Sequence, residues 1–133
     1  MTEHVWPQPL LVVRDVEASS RFYADVLGIE GGHGGDEYEQ LISAGEIVLQ
    51  LHRLDVDDHH GPIADPDRPF GNGVLVWFEV TDFEATLDRV RATGAEIVRG
   101  PEINPNAKQS ELWFRDLDGY VVVVAGPSEY RPR

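Results

Sequence analysis

Short apolar runs alternate with amphipathic stretches along this chain, and their periods assign the elements. The run Pro9-Leu10-Leu11-Val12-Val13 predicts a strand, and Asp15 just beyond it can cap a helix over residues 16–27. In that helix Phe22 and Val26, and Tyr23 and Leu27, stand four apart on one face, and Gly28 supplies the left-handed stop. A glycine-rich connection at residues 31–35 leads to a hairpin of residues 38–43 and 46–52 around Ala44-Gly45. No Lys-Ser/Thr and no helix follow those glycines, so they read as a strand connection rather than a phosphate cradle.

Pro62, Pro66 and Pro69 interrupt residues 55–72, which read as a linker or lid. Beyond them residues 74–80 predict a strand, Thr81-Asp82-Phe83-Glu84 a capping box, and Phe83, Leu87 and Val90 a helix ended by Gly94. A short strand at Ile97-Val98, a polar loop containing Pro101 and Pro105, and a second hairpin complete the pattern, with strands at 111–115 and 120–125 around Asp116-Leu117-Asp118-Gly119. Each half therefore runs strand, helix and three strands. The helix starts Asp15-Val16-Glu17-Ala18 and Asp82-Phe83-Glu84-Ala85 lie 67 residues apart, which implies an internal duplication. The expected architecture is α+β: two tandem βαβββ modules, at about 7–54 and 73–126, forming a cupped mixed sheet with the helices outside, as one domain over 1–133. Neither half buries both faces of its own sheet, so the two are expected to share a core.

Composition narrows the chemistry. The absence of cysteine excludes a disulfide scaffold, a thiol nucleophile and a Cys-ligated zinc site. A net charge of -13 disfavours nucleic acid and favours cationic ligands, while solubility alone accounts for much acidic surface. No apolar run reaches membrane-spanning length and no signal peptide is recognisable, so a soluble cytoplasmic protein is the plain expectation. The serines occupy no nucleophile elbow.

Several stretches together resemble the vicinal oxygen chelate superfamily of glyoxalases, extradiol dioxygenases, and fosfomycin- and bleomycin-resistance proteins. They are Val13-Arg14-Asp15-Val16-Glu17-Ala18-Ser19, Phe22-Tyr23-Ala24-Asp25-Val26-Leu27-Gly28, Phe78-Glu79-Val80-Thr81-Asp82, Gly94-Ala95-Glu96-Ile97 and Arg115-Asp116-Leu117-Asp118-Gly119-Tyr120. Enzymes of this superfamily hold a divalent metal on the first and last strands of each module. The resemblance places those positions at Gln8, Gln50, Leu75 and Val123. Two hydrocarbon side chains and two neutral amides are a poor donor set, so no metal and no cofactor is expected there.

Strand alternation puts Leu75, Trp77 and Glu79 on one face, and Val74, Val76, Phe78 and Val80 on the other, beneath the helices. The expected ligand-binding residues are thus Gln8, Gln50, His52, Leu75, Trp77, Glu79, Phe114 and Val123. Trp77 reads either as a ligand platform or as core packing, and His52 as a cavity histidine or a packed one. His59 and His60, beside Asp57 and Asp58, are adjacent loop residues and read as solvated rather than as a metal site.

Within the superfamily the chain is most similar to the metal-free bleomycin-resistance proteins, through Pro7, Pro9, Gly45-Glu46-Ile47-Val48-Leu49 and Trp77-Phe78-Glu79-Val80-Thr81-Asp82. That similarity implies a homodimer binding a cationic or aromatic, antibiotic-like small molecule. Two alternatives stay open: a lyase, isomerase or dioxygenase with an atypical site, and an accessory module acting through its surface.

Overall fold

Helix α1 (Val16–Leu27) begins where Asp15 accepts the Ala18 N–H at 2.9 Å, the side-chain cap that the sequence predicts. Its buried face is Val16, Ser19, Phe22, Tyr23 and Val26. Helix α2 (Phe83–Thr93) is capped by Asp82, which accepts the Ala85 N–H at 3.1 Å, and ends at Gly94, whose N–H reaches the Arg91 carbonyl. The expected capping box is thereby corrected. With the cap at Asp82 rather than Thr81, the third helical residue is Ala85, which has no carboxylate to return the bond. Asp82→Ala is expected to cost about 1 kcal/mol, read as a lower urea midpoint at unchanged slope.

This computed structural model describes residues 3–32, 34–56 and 60–130. Two units emerge, residues 1–24 with 29–66 and residues 25–28 with 67–133. The last turn of α1 thus belongs to the second unit, where the Arg89 guanidinium donates to the Val26 carbonyl at 3.0 Å.

The first unit holds a sheet of β1 (Leu10–Val13), β2 (Glu30–Gly31), β3 (Tyr38–Ser43) and β4 (Glu46–Arg53) in the order β1-β4-β3-β2. The second holds β5 (Leu75–Glu79), β6 (Ile97–Asn104), β7 (Gln109–Arg115) and β8 (Val121–Ala125) in the order β5-β8-β7-β6. In each sheet the first strand runs parallel to the last and the other pairs are antiparallel. Two βαβββ modules of one topology are therefore present, as the repeated helix starts imply.

Each sheet has a hydrocarbon side. In the first, Leu11, Val13, Leu41, Leu49 and Leu51 are buried, and Glu39, on the same side of β3, lies close to Ser20 of α1 around Gly31. In the second, Val76, Leu112, Phe114, Val122 and Val124 form the buried layer, and α2 packs on β8 with Leu87 and Val90 inward. The opposite side of β5 leaves Leu75 and Trp77 over 40% exposed, at 44% and 43%, so that side is uncovered within its unit.

The third strand of the second module differs from expectation. Rather than ending at Val98, β6 continues through Pro101 to Asn104, with register breaks between Ile97 and Arg99 and between Arg99 and Glu102. It is an edge strand, where a residue without an N–H is tolerated.

Candidate functional site

On the open side of the first sheet, the register aligns Leu10, Gln50 and Gln40 in one row and Val12, His52 and Tyr38 in the next. These side chains make a closed polar network. The Tyr38 hydroxyl donates to Gln50 Oε1, Gln40 Nε2 donates to the Tyr38 oxygen at 3.2 Å, and Gln50 Nε2 donates to the Gln8 carbonyl at 2.9 Å. Gln8 precedes β1 and enters this network through its main chain. His52 is buried at the end of the row, its Nδ1 2.9 Å from the Arg53 carbonyl oxygen. Beside it Arg53 donates to Asp55 at 2.6 Å and to Asp36 at 3.2 Å, and the first of these contacts holds the Asp55 carboxyl below its ordinary range.

The open side of the second sheet is aromatic and acidic. One row runs Trp77, Val123, Trp113 and Arg99 across β5, β8, β7 and β6; the next runs Glu79, Ala125, Glu111 and Glu102. Glu111 is 4% exposed, and its carboxylate is fully engaged, accepting from the Trp113 indole N–H at 3.1 Å and the Asn104 amide at 2.6 Å. This fixes the orientation of Trp113, over whose ring the Arg99 guanidinium lies at 5.7 Å. Arg99 also donates to Glu102.

Leu75, Trp77 and Glu79 share this face as the alternation predicts, and Val123, placed by the resemblance, pairs with Trp77 on it at 0% exposed, but Phe114 does not share it. It pairs with Val122, points into the hydrocarbon layer and is 0% exposed. The sequence reading missed Glu111 and Trp113 in its place. The signal was available: pairing around the Asp116–Gly119 turn puts odd residues of β7 opposite odd residues of β8, so Trp113 joins Val123 and Phe114 cannot.

The positions that the superfamily uses for a metal do not fit one here. Leu75 and Val123 offer no donor atom, and both ends of the Gln50 amide are committed within the network. Among the described residues no group of three or more His, Cys, Asp or Glu is arranged to hold an ion.

A cleft of about 300 Å³ lies on the helix side of the first sheet, lined by Glu17, Ser20, Arg21, Gly34, Gly35 and Glu39. There the Gly34 N–H donates to the buried Glu39 carboxylate at 3.1 Å, so the glycine segment already serves an anion of its own chain and makes no phosphate cradle. The linker candidate Phe70 stacks on Tyr120, with centroids 5.8 Å apart. Asp57, Asp58 and His59 lie outside the described residues.

Two βαβββ modules with these open faces define the class, and the sequence agrees. Residues 4–124 match the Glyoxalase/Bleomycin resistance protein/Dioxygenase superfamily, and the chain belongs to it. Among solved structures it is similar to a glyoxalase/bleomycin resistance protein/dioxygenase from Nocardioides, at 23% identity and a TM-score of 0.71, covering 97% of this chain and 87% of that one. A protein from the mobile metagenome of Vibrio pseudocholerae gives 23% identity and a TM-score of 0.71 over 97% and 98% of the two chains. The genomically encoded fosfomycin resistance protein FosX of Listeria monocytogenes gives 13% identity and a TM-score of 0.68, covering 97% of this chain and 98% of that one. At these identities the structures establish the shared fold. No helix among the described residues is long and apolar enough to cross a membrane.

Proposed function

We propose that this chain is a small-molecule-binding member of the superfamily that takes a flat aromatic or cationic ligand, antibiotic-like in size, without an ion at the superfamily's metal positions. The observation that carries this reading is the row Trp77, Val123 and Trp113. Two indoles two strands apart flank the fully buried Val123, and Glu111 anchors one of them. Trp77, 43% exposed with Glu79 two residues along its strand, suits flat and positively charged molecules, and the net charge of -13 reinforces the second preference. Gln50 and His52 are the corresponding polar candidates of the first unit, and Leu75 and Glu79 flank Trp77 on its own strand. A homodimer is part of the proposal, with the proline-bearing segment before β1 as its arm; light scattering on the purified protein tests it.

Thermal shift against a panel of cationic glycopeptides and planar aromatic antibiotics tests the binding. The melting temperature is expected to climb with free ligand concentration, as binding to the native state alone requires. In Trp77→Ala that climb is expected to need at least about tenfold more ligand, while stability without ligand stays within about 1 kcal/mol of the parent because the side chain is 43% exposed. A flat response across the panel, or an undiminished one in Trp77→Ala, overturns the reading.

A further inference from the structure

We propose that Asn72 is a site of spontaneous covalent modification, where deamidation through a cyclic imide with the Gly73 nitrogen leaves an aspartyl or isoaspartyl residue in the native protein. The Gly71 carbonyl accepts the Val74 N–H at 3.1 Å, which makes Asn72 and Gly73 the central residues of a β-turn leading into β5. Gly73 has φ +79°, the left-handed value that calls for glycine at the third position of a turn. Both central residues are exposed, and a Cβ built on Gly73 would meet nothing within 4 Å. Among the described residues, nothing hydrogen-bonds to the Asn72 amide or to the Gly73 N–H.

These are the groups that the reaction uses. The Gly73 N–H loses its proton to water or hydroxide, and the nitrogen bonds to Asn72 Cγ. The Cγ–Nδ2 bond breaks, and the departing nitrogen takes up a proton and leaves as ammonia. Water then opens the imide at one of its two carbonyls. One opening restores the ordinary main chain with an aspartyl side chain; the other routes the main chain through the side-chain carboxyl. Ring closure needs the Asn72–Gly73 peptide to rotate. The central peptide unit of a β-turn interchanges between type I and type II geometry with its closing bond kept, and glycine at 73 adds no Cβ to oppose it.

The chain has three asparagines, and the other two lack this combination. Asn104 precedes Pro105, whose nitrogen carries no hydrogen. Its amide is also committed, donating to Glu111 at 2.6 Å and accepting the Asn106 N–H at 2.9 Å. Asn106 precedes Ala107, whose N–H donates to Asn104 Oδ1 at 3.3 Å. The fold thus engages the groups around Asn104 and Asn106 and leaves those at Asn72 open to solvent. Either product places a new carboxylate at the entry to β5, the strand that carries Leu75, Trp77 and Glu79. The chemistry is independent of ligand binding at Trp77.

The test is incubation of the full chain at mildly alkaline pH, native and in urea, followed by peptide mapping that separates asparagine, aspartate and isoaspartate at each position. Native Asn72 is expected to convert no more than about tenfold more slowly than in urea, since an exposed turn opens at little cost. Asn104 is expected to keep its amide in both conditions, and Asn106 to be slowed by folding more than Asn72 is. Asn72→Gln, at an exposed position, is expected to fold as the parent does and to lose the isoaspartate signal from this peptide. An Asn72 that keeps its amide in the native chain while losing it in urea overturns the proposal. So does isoaspartate that persists at full yield in the same peptide of Asn72→Gln, since an aspartate is then its source.

Discussion

Phe114→Ala is expected to remove about 3–5 kcal/mol of folding stability, the cost of deleting a large aromatic ring from a packed core. The side chain is fully buried between Leu112 and the β8 residue Val122, on the side of the sheet away from Trp77. A void there cannot drain to solvent, so its neighbours lose contacts that nothing replaces. Equilibrium denaturation in urea measures the effect. Phe114→Leu, which keeps most of the volume, is expected to lose much less and to remain folded if the alanine variant does not. A Phe114→Ala variant with parental stability and impaired ligand binding would return this residue to the binding face.

Gly100→Ala is expected to be nearly as damaging, for a backbone reason. Gly100 has φ +90°, and a Cβ built on it would stand 2.7 Å from the Glu111 carbonyl oxygen and 3.1 Å from the Glu102 nitrogen. The conformation alone costs an L-residue about 1–3 kcal/mol, and the clash adds to it because both obstacles are main chain in paired strands. A loss of at least about 2 kcal/mol is expected. Displacement of the Glu111 main chain also loosens the carboxylate that orients Trp113, so tryptophan emission in the native state is expected to shift. Gly45→Ala separates the two causes: its φ is +80° but a Cβ there meets nothing within 4 Å, so only the conformational part is expected. Equal losses at the two sites would remove the steric argument.

The placement of Phe114 shows how much of the candidate site could be read along the chain. Leu75, Trp77 and Glu79 fall together because strand alternation is a local property, fixed by the pleat wherever the strand lies. Phe114 falls on the opposite face because the parity of β7 is set by its register with β8, which pairs Phe114 with Val122 and Trp113 with Val123. Glu111 and Trp113 stayed hidden for the same reason. The length of β6 is obscured by Pro101, which reads as part of a polar loop; at a sheet edge it is accommodated between register breaks. Thr81 looked like the better cap because Glu84 completes a box with it, but the chain enters the helix one residue later and Asp82 takes the place.

The sequence by itself determined the duplication, the order of elements in each module, the start and stop of each helix to within a residue, and which residues of β5 share a face. All of these follow from short-range periodicity and the chemistry of single residues. Only the tertiary structure decided which polar groups meet. Glu111 finds Asn104 across a hairpin and Trp113 two residues along its own strand; Gln50 finds Tyr38 and the Gln8 main chain; His52 finds His60 from beyond the end of its strand. Hydrogen bonds act over about 3 Å, and most of these partners are brought within that range by strand register and chain reversal, which depend on the folded backbone as a whole.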